Sequence, residues 1–401
     1  MTGLSESWRE RLVSDCVLPV DVDRHKKVLA RAYKATGKFP IVDQGQELIA
    51  GRTDDETAVV ADGLPIVVFG DHTRVFKFVD FPFVIGADGT KLLKPIADLD
   101  PKFFYFACLT LDIPSRGYNR HFKILREQSI RYPELAEQQK IAAVLWQIQK
   151  AVEIEDAIVR NARDLKKSLL RCLFSHGLHG EPLKETEIGP LPQSWELKEC
   201  ESVCDMITVG IVVQPASHYV PAGVPAFRSL NIREDRLDTS SLVHVSTEAN
   251  DTILSKSKLR TGDVLVVRTG YPGTSCVVPN QFDGANCIDL VILRPARTMV
   301  AEFLSRFFNS ESGRQQALNA KTGLAQQHLN SGAVKRMKVP FPSLDEQREI
   351  ANILQTVDRK IDIHESKKRS LQDLFKTTLH KLMTAQIRVN DLDVDTSELS
   401  R

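Results

Sequence analysis

No one sign of charge dominates this sequence. Its 53 lysines and arginines are matched by 52 aspartates and glutamates, a formal net charge of +1. A uniformly basic, histone-like binder is thereby excluded. Local basic patches are not, because a field depends on where charge lies rather than on its sum. Paired cysteine spacing is also missing. Cys16, Cys108, Cys172, Cys200, Cys204, Cys276 and Cys287 form no CxxC, and Cys200–Cys204 has no second pair to complete a zinc site. Buried free thiols in a reducing compartment are expected instead. No run approaches the roughly 20 apolar residues that cross a bilayer. Met1–Leu12 mixes Glu6, Arg9, Glu10 and Arg11 without an apolar stretch, so no signal peptide is expected and the expected location is the cytoplasm. The GxxxxGK[ST], HExxH and GxSxG signatures are missing too, and Asp71-His72 reads as a pair of turn residues rather than part of a hydrolytic set. With 42% hydrophobic and 26% charged residues, the 401-residue chain has the composition of two or three soluble domains.

What the chain does have is an internal repeat. Residues 130–138 read IRYPELAEQ and residues 339–347 read VPFPSLDEQ, and both continue without a gap, from Glu137 to Phe174 and from Glu346 to Met383. Glu137/Glu346, Gln138/Gln347, Ile141/Ile350, Ala142/Ala351, Leu145/Leu354, Ile154/Ile363, Arg160/Arg369, Leu165/Leu374, Lys167/Lys376 and Leu170/Leu379 are identical. Both stretches lack Gly and Pro and are rich in helix-favouring residues. Ser343 and Glu346 have capping-box spacing, while Pro133 and Glu134 suit the start of the first helix. Gly177 and Gly180 mark its end. The heptad seam runs through Ile141, Leu145, Ile148 and Val152, then Val159, Ala162, Lys166 and Leu169, apolar except at Lys166. In the second helix it follows Ile350, Leu354, Val357 and Ile361, passes through His364 and Lys368, and reaches Leu371 and Phe375. Each helix therefore needs a partner along its length, and at 1.5 Å per residue each makes a rod of roughly 60 Å. The homologous rods are expected to pair with each other, antiparallel and about a pseudo-twofold axis. Glu155 and His364 are polar interruptions that set register.

Before each rod stands a globular stretch of mixed character. Strands are expected at Pro65–Phe69, Val75–Val79, Pro82–Ile85, Asp263–Arg268 and Cys287–Leu293, with shorter helices at Pro101–Leu111 and Val300–Leu318. The fold class is α+β, built twice: residues 1–132 and 181–342 are globular, 133–180 and 343–389 are helical, and 390–401 is an acidic tail expected to be disordered.

These residues resemble the specificity subunits of Type I restriction–modification systems. The motifs that carry the resemblance are Gly323-Leu324-Ala325-Gln326-Gln327-His328-Leu329, Lys338-Val339-Pro340-Phe341-Pro342 and Glu346-Gln347-Arg348-Glu349-Ile350. Leu191-Pro192-Gln193-Ser194-Trp195, Gly262-Asp263-Val264-Leu265 and Arg268-Thr269-Gly270 add to it. The first half carries Phe69-Gly70-Asp71-His72-Thr73-Arg74, Gly117-Tyr118-Asn119-Arg120-His121-Phe122 and Pro133 through Gln138. It departs from the pattern in lacking a Leu-Pro lead before Trp8, and Gly-Tyr-Asn-Arg-His stands where the second half has Leu-Ala-Gln-Gln-His. The resemblance implies two target recognition domains, each reading half of a bipartite DNA site, separated by conserved spacer helices that set the gap and dock methyltransferase subunits. Half-site spacing set by protein geometry is general among two-headed readers. The Asn-Pro-Pro-Tyr-like motif of a methyltransferase is missing. The implied chain is thus non-catalytic and without a cofactor of its own, while its partners, methyltransferase and restriction subunits, would use S-adenosylmethionine, ATP and Mg.

DNA reading needs cations and amides for phosphates, and forked donors for base edges. In the first domain the candidates are Asp71, His72, Thr73, Arg74, Lys91, Tyr118, Asn119, Arg120, His121 and Lys123. In the second they are Arg228, Ser229, Asn231, Arg233, Arg268, Thr269, Tyr271, Gln326, Gln327 and His328. Two other readings stand beside this one: a stand-alone DNA-processing nuclease, and a coiled-coil scaffold carrying two protein-binding domains.

Overall fold

The two repeats fold as long helices, Leu135–His176 of 42 residues and Leu344–Met383 of 40. The structure is a computed structural model that describes residues 8–20, 26–86, 88–115, 117, 119–322 and 328–389; the tail 390–401 lies outside them. Residues at the heptad positions turn inward: Ile141, Leu145, Ile350, Leu354 and Ile361 are buried, and Ile148, Val152 and Val357 half-buried. Glu155, in the middle of the seam, is buried and ion-paired with Lys367 at 2.6 Å.

The chain divides into two compact units, one running up to Ala157 and resuming at Glu365, the other Ile158–His364. Each unit contains the first half of one long helix and the last half of the other. In the first unit, Ile141, Ala142 and Leu145 share a core with Leu382, Ala385 and Val389. In the second, Leu170, Leu173 and Phe174 share one with Ile350 and Leu354. The helices therefore pair antiparallel.

The main sheet has the same strand order in both units. The first has a four-stranded sheet ordered Val17–Leu18, Thr90–Pro95, Ile66–Gly70, Phe76–Val79, and the second repeats it as Cys204–Val209, Leu290–Pro295, Val264–Val267, Ser275–Val277. A second small sheet in each contains one parallel pair, Phe39–Val42 beside Phe83–Ile85 and Val224–Phe227 beside Asn286–Cys287. An antiparallel ribbon then leads into each long helix, Arg9–Leu12 with Ser129–Tyr132 and Glu196–Glu199 with Lys338–Phe341.

The Glu-Gln dipeptide at the head of each rod turns out to be a joint. Gln138 is 1% exposed; its Oε1 accepts the Asp100 amide at 2.9 Å, and its Nε2 donates to the carbonyls of Asp98 and Pro133, both at 2.9 Å. Gln347 does the same for the amide of Val300 at 2.8 Å and the carbonyls of Thr298 at 3.2 Å and Pro342 at 3.1 Å. Each amide thereby holds the start of a short helix, Pro101–Leu109 or Ala301–Asn309, to the start of a long one.

Three local expectations change. Ser343 Oγ accepts the Glu346 amide at 3.3 Å, but the Glu346 carboxylate does not close a capping box. It takes the buried Trp195 indole N–H at 2.9 Å and the Leu178 amide at 3.0 Å, because a buried indole N–H needs an acceptor. The single helix expected over Val300–Leu318 is two, Ala301–Asn309 and Glu311–Thr322. Extended Ser310 separates them, and its hydroxyl accepts the Gly313 amide at 3.3 Å. Among the cysteines, Cys16, Cys108, Cys200, Cys276 and Cys287 are buried, whereas Cys204 is half-buried and Cys172 exposed.

The helix ends follow from the same clamps. Gly177 adopts φ +62°, and a Cβ there would lie 2.8 Å from Glu346 Oε1 and 3.2 Å from Trp195, so only glycine fits. After the second rod Ala385 adopts φ +57°, and Arg388 forks onto Glu137 at 2.6 and 2.7 Å. In each unit the residues following one rod are thus tied to the glutamate that opens the other.

Candidate nucleic-acid interface

In each unit a central strand and the edge strand beside it are joined by a hairpin turn, Gly70–Val75 in the first and Arg268–Thr274 in the second. Beside each turn lie residues from later in the chain, Ile113 and His121 in the first unit and His328 and Leu329 in the second. In the first unit Asp71 joins the two. It is 1% exposed, its Oδ1 accepts the amides of His121 at 2.8 Å and Phe122 at 2.7 Å, and its carbonyl lies 2.9 Å from His121 Nδ1. In the second unit arginine does this work: Arg268 Nε donates to the Leu329 carbonyl at 3.0 Å, the Leu329 amide donates to the Arg268 carbonyl at 3.1 Å, and the guanidinium pairs with Asp289.

The candidate readers accordingly divide by direction. Asp71, His121 and Asn231 face inward, 1%, 0% and 0% exposed. Asn231 accepts the Arg228 amide at 2.9 Å and donates to the carbonyls of Asp238 and Ser241, so all three shape loops from within. His72, Thr73, Lys91, Arg228, Ser229, Arg268 and Thr269 are half-buried. Among them His72 and Thr73 are anchored on Gln44, a residue the sequence reading missed: its Oε1 accepts the His72 amide at 3.3 Å and its carbonyl accepts the Thr73 hydroxyl. Lys91 lies over the Phe122 ring, 5.4 Å from its centroid.

Exposed on the first unit are Arg74, Asn119, Arg120 and Lys123, and on the second Arg233, Tyr271 and His328. Arg74, at φ +63°, donates to the Ile113 carbonyl at 2.9 Å, which fixes it at the tip of the turn with further N–H groups to spare. Tyr271 is 85% exposed, and near it the Thr269 hydroxyl and His328 Nδ1 are 2.7 Å apart. Arg233 pairs with Asp238 at 3.2 Å. Tyr118, Gln326 and Gln327 lie outside the described residues. The turn and loop thus present cations, amides and an aromatic ring on a rigid sheet, a set suited to phosphate and base-edge contacts.

Residues 192–373 match the Type I restriction modification DNA specificity domain. The chain is 22% identical over 281 residues to the Type I restriction enzyme MjaVIII specificity subunit of Methanocaldococcus jannaschii, a match covering 68% of this chain and 65% of that protein. In the MjaX specificity subunit of the same organism, described as putative, the match covers 60%. The chain therefore spans somewhat under two thirds of the length of these relatives. In fold it is similar to the Type I restriction–modification S subunit from M. genitalium, with a TM-score of 0.65 at 16% identity, covering 94% of this chain and 96% of that one. Residues 192–373 thus carry the Type I restriction modification DNA specificity domain, and the chain is similar in sequence and fold to Type I restriction–modification specificity subunits.

Proposed function

We propose that the chain reads a bipartite DNA site, one half-site per globular domain, as the specificity subunit of a Type I restriction–modification complex. The observation that carries this reading is a turn-and-loop surface built twice on one main-sheet order with different residues. A duplicated scaffold gives two readers, and divergence at the tips, Arg74 and Arg120 against Tyr271 and His328, gives them different half-sites. Residues facing out contact phosphates and base edges, while Asp71, Arg268 and Asn231 hold the loops in place. The long helices fix the gap and dock partners. Methylation and cleavage belong to those partners, methyltransferase and restriction subunits, which bring S-adenosylmethionine, ATP and Mg; this chain needs no cofactor of its own and works in the cytoplasm.

The rods also carry apolar residues that the seam does not cover. Ile154 and Leu374 are 58% and 49% exposed in the first unit, and their repeat counterparts Ile363 and Leu165 are 63% and 53% exposed in the second. The same pair in both units suits one kind of partner bound twice.

The test is to co-express the chain with a methyltransferase subunit from its source and map methylated adenines in the host DNA. A single split motif whose second half is lost or altered by Tyr271→Ala, with the first half kept, supports the reading. A continuous motif, or methylation indifferent to this chain, refutes it.

A further inference from the structure

The second unit fastens its recognition domain to the rods with charge where the first uses rings. Lys166 Nζ lies 3.0 Å from Asp235 and 2.7 Å from Asp358, and Arg306 pairs with the same two aspartates. The four side chains close a ring of alternating sign, and their exposures of 12%, 6%, 7% and 25% make it largely buried. Every corner comes from a different element: Lys166 from the first long helix, Asp358 from the second, Arg306 from the short helix Ala301–Asn309, and Asp235 from the tip of the hairpin joining strands Ile232–Arg233 and Arg236–Leu237. Asp235 is held there at φ +62°, and it also accepts the Asn309 amide at 2.7 Å. The neighbouring hairpin residues reach the same supports, Arg236 to Asp362 at 3.3 Å and Glu234 to Arg314.

In the first unit the positions matching the two cations are aromatic, and Gln149 stands where the second unit has Asp358. Phe375 is the repeat counterpart of Lys166, and Phe106 stands six residues after Asp100 as Arg306 stands six after Val300. Their rings pack at 6.0 Å, with Trp146 alongside. A charge ring is a poor source of net stability, since desolvation offsets attraction, but it fixes geometry sharply because any rotation unpairs a buried charge. An open cavity of about 360 Å3, lined by Asp235, Glu302, Ser305, Arg306 and Gln355, borders the charge ring.

We propose that the Asp235–Lys166–Asp358–Arg306 ring is a positioning device that sets the angle of the second recognition domain on the rods, and with it the gap at which the second half-site is accepted. This rests on the bipartite-reader proposal above. None of the four residues needs to touch DNA.

The test uses the complex assembled with methyltransferase subunits and duplexes whose half-sites are separated by the native gap or by one base pair more or less. Lys166→Met should cut the preference for the native gap about tenfold, the scale of about 1.4 kcal/mol. The preference for the correct bases within the second half-site should stay unchanged. Lys166→Arg, which can still bridge both aspartates, should restore gap preference, and Asp358→Asn should weaken it in the same direction. Amide exchange in residues 232–237 of the free chain should quicken in Lys166→Met and return in Lys166→Arg. Unchanged gap preference in a folded Lys166→Met complex overturns the proposal, as does equal loss of gap and base preference. Should the wild-type complex itself ignore the gap, the bipartite reading falls and the ring proposal falls with it, whatever the variants do.

Discussion

Replacing Gln347 by alanine removes one side chain and strands three backbone groups. The Val300 amide loses its acceptor, and the carbonyls of Thr298 and Pro342 lose a donor, at a site where Gln347 is 0% exposed. A buried polar group left without a partner costs about 1–3 kcal/mol. Carbonyls, with two lone pairs, fall at the low end, so three orphans plus a small cavity come to about 3–5 kcal/mol. That is a large share of the about 5–15 kcal/mol that holds a domain folded. Gln347→Glu, nearly isosteric, keeps an acceptor for Val300 but aims a carboxylate at two carbonyls, so at neutral pH it should be at least as damaging. Facing carbonyls in a dry site, that carboxyl has a raised folded-state pKa. Its penalty applies above the unfolded-state pKa and shrinks as pH falls, because the protonated acid regains a donor. Urea denaturation followed by amide exchange is the assay, with exposed Gln372→Ala as a control expected within about 0.5 kcal/mol of wild type. The loosening should centre on residues 298–301 and the head of the second rod. A cost for Gln347→Ala below about 1 kcal/mol, or no worse than the control, would refute the reasoning.

Lysine at Ile154 or Ile363, both more than half exposed, should leave thermal stability unchanged. Each should weaken methyltransferase docking about tenfold or more at its own site, the worth of one buried isoleucine, and titration calorimetry showing undiminished affinity would count against docking there. Cys172 is exposed while burial pushes the thiols of Cys108, Cys276 and Cys287 up and that of Cys16 to about 11. A thiol reagent at pH 8 should therefore label Cys172 rapidly and those four only on unfolding; fast labelling of any of the four would contradict the packing. Because the rods run antiparallel and share cores in both units, one heptad must be inserted into each of them to keep the seam in register. About 10 Å of added rise should widen the methylated motif's gap by about three base pairs with both half-sites intact, and altered half-site bases with an unaltered gap would disprove the ruler.

The rods were legible because their signal is local. Heptad spacing over 40 residues without glycine or proline specifies a helix and its buried stripe from sequence alone, and the repeat offset of 209 residues specified that there are two. The antiparallel sense, an expectation from chain connectivity, is decided by which cores they share, Leu145 with Leu382 and Leu354 with Phe174. Residue type alone could not say which loop residues face outward. Asp71, His121 and Arg74 read alike as polar turn residues, yet the first two are buried and the third is exposed, because Asp71 and His121 bond each other across 50 residues whereas Arg74 spends only part of a long side chain on the Ile113 carbonyl.

The sequence by itself determined the duplication, the two helical rods and the alternation of globular and helical segments, since these depend on periodicity and on composition over short windows. Tertiary structure alone decided what the Glu-Gln dipeptides do, because the groups Gln138 holds at Asp98 and Asp100 lie about 40 residues earlier in the chain. It also decided that Lys166, which breaks the apolar seam, serves a charge ring with Asp235. A buried polar group must be satisfied, and its partners can come from anywhere in the chain that folding brings near.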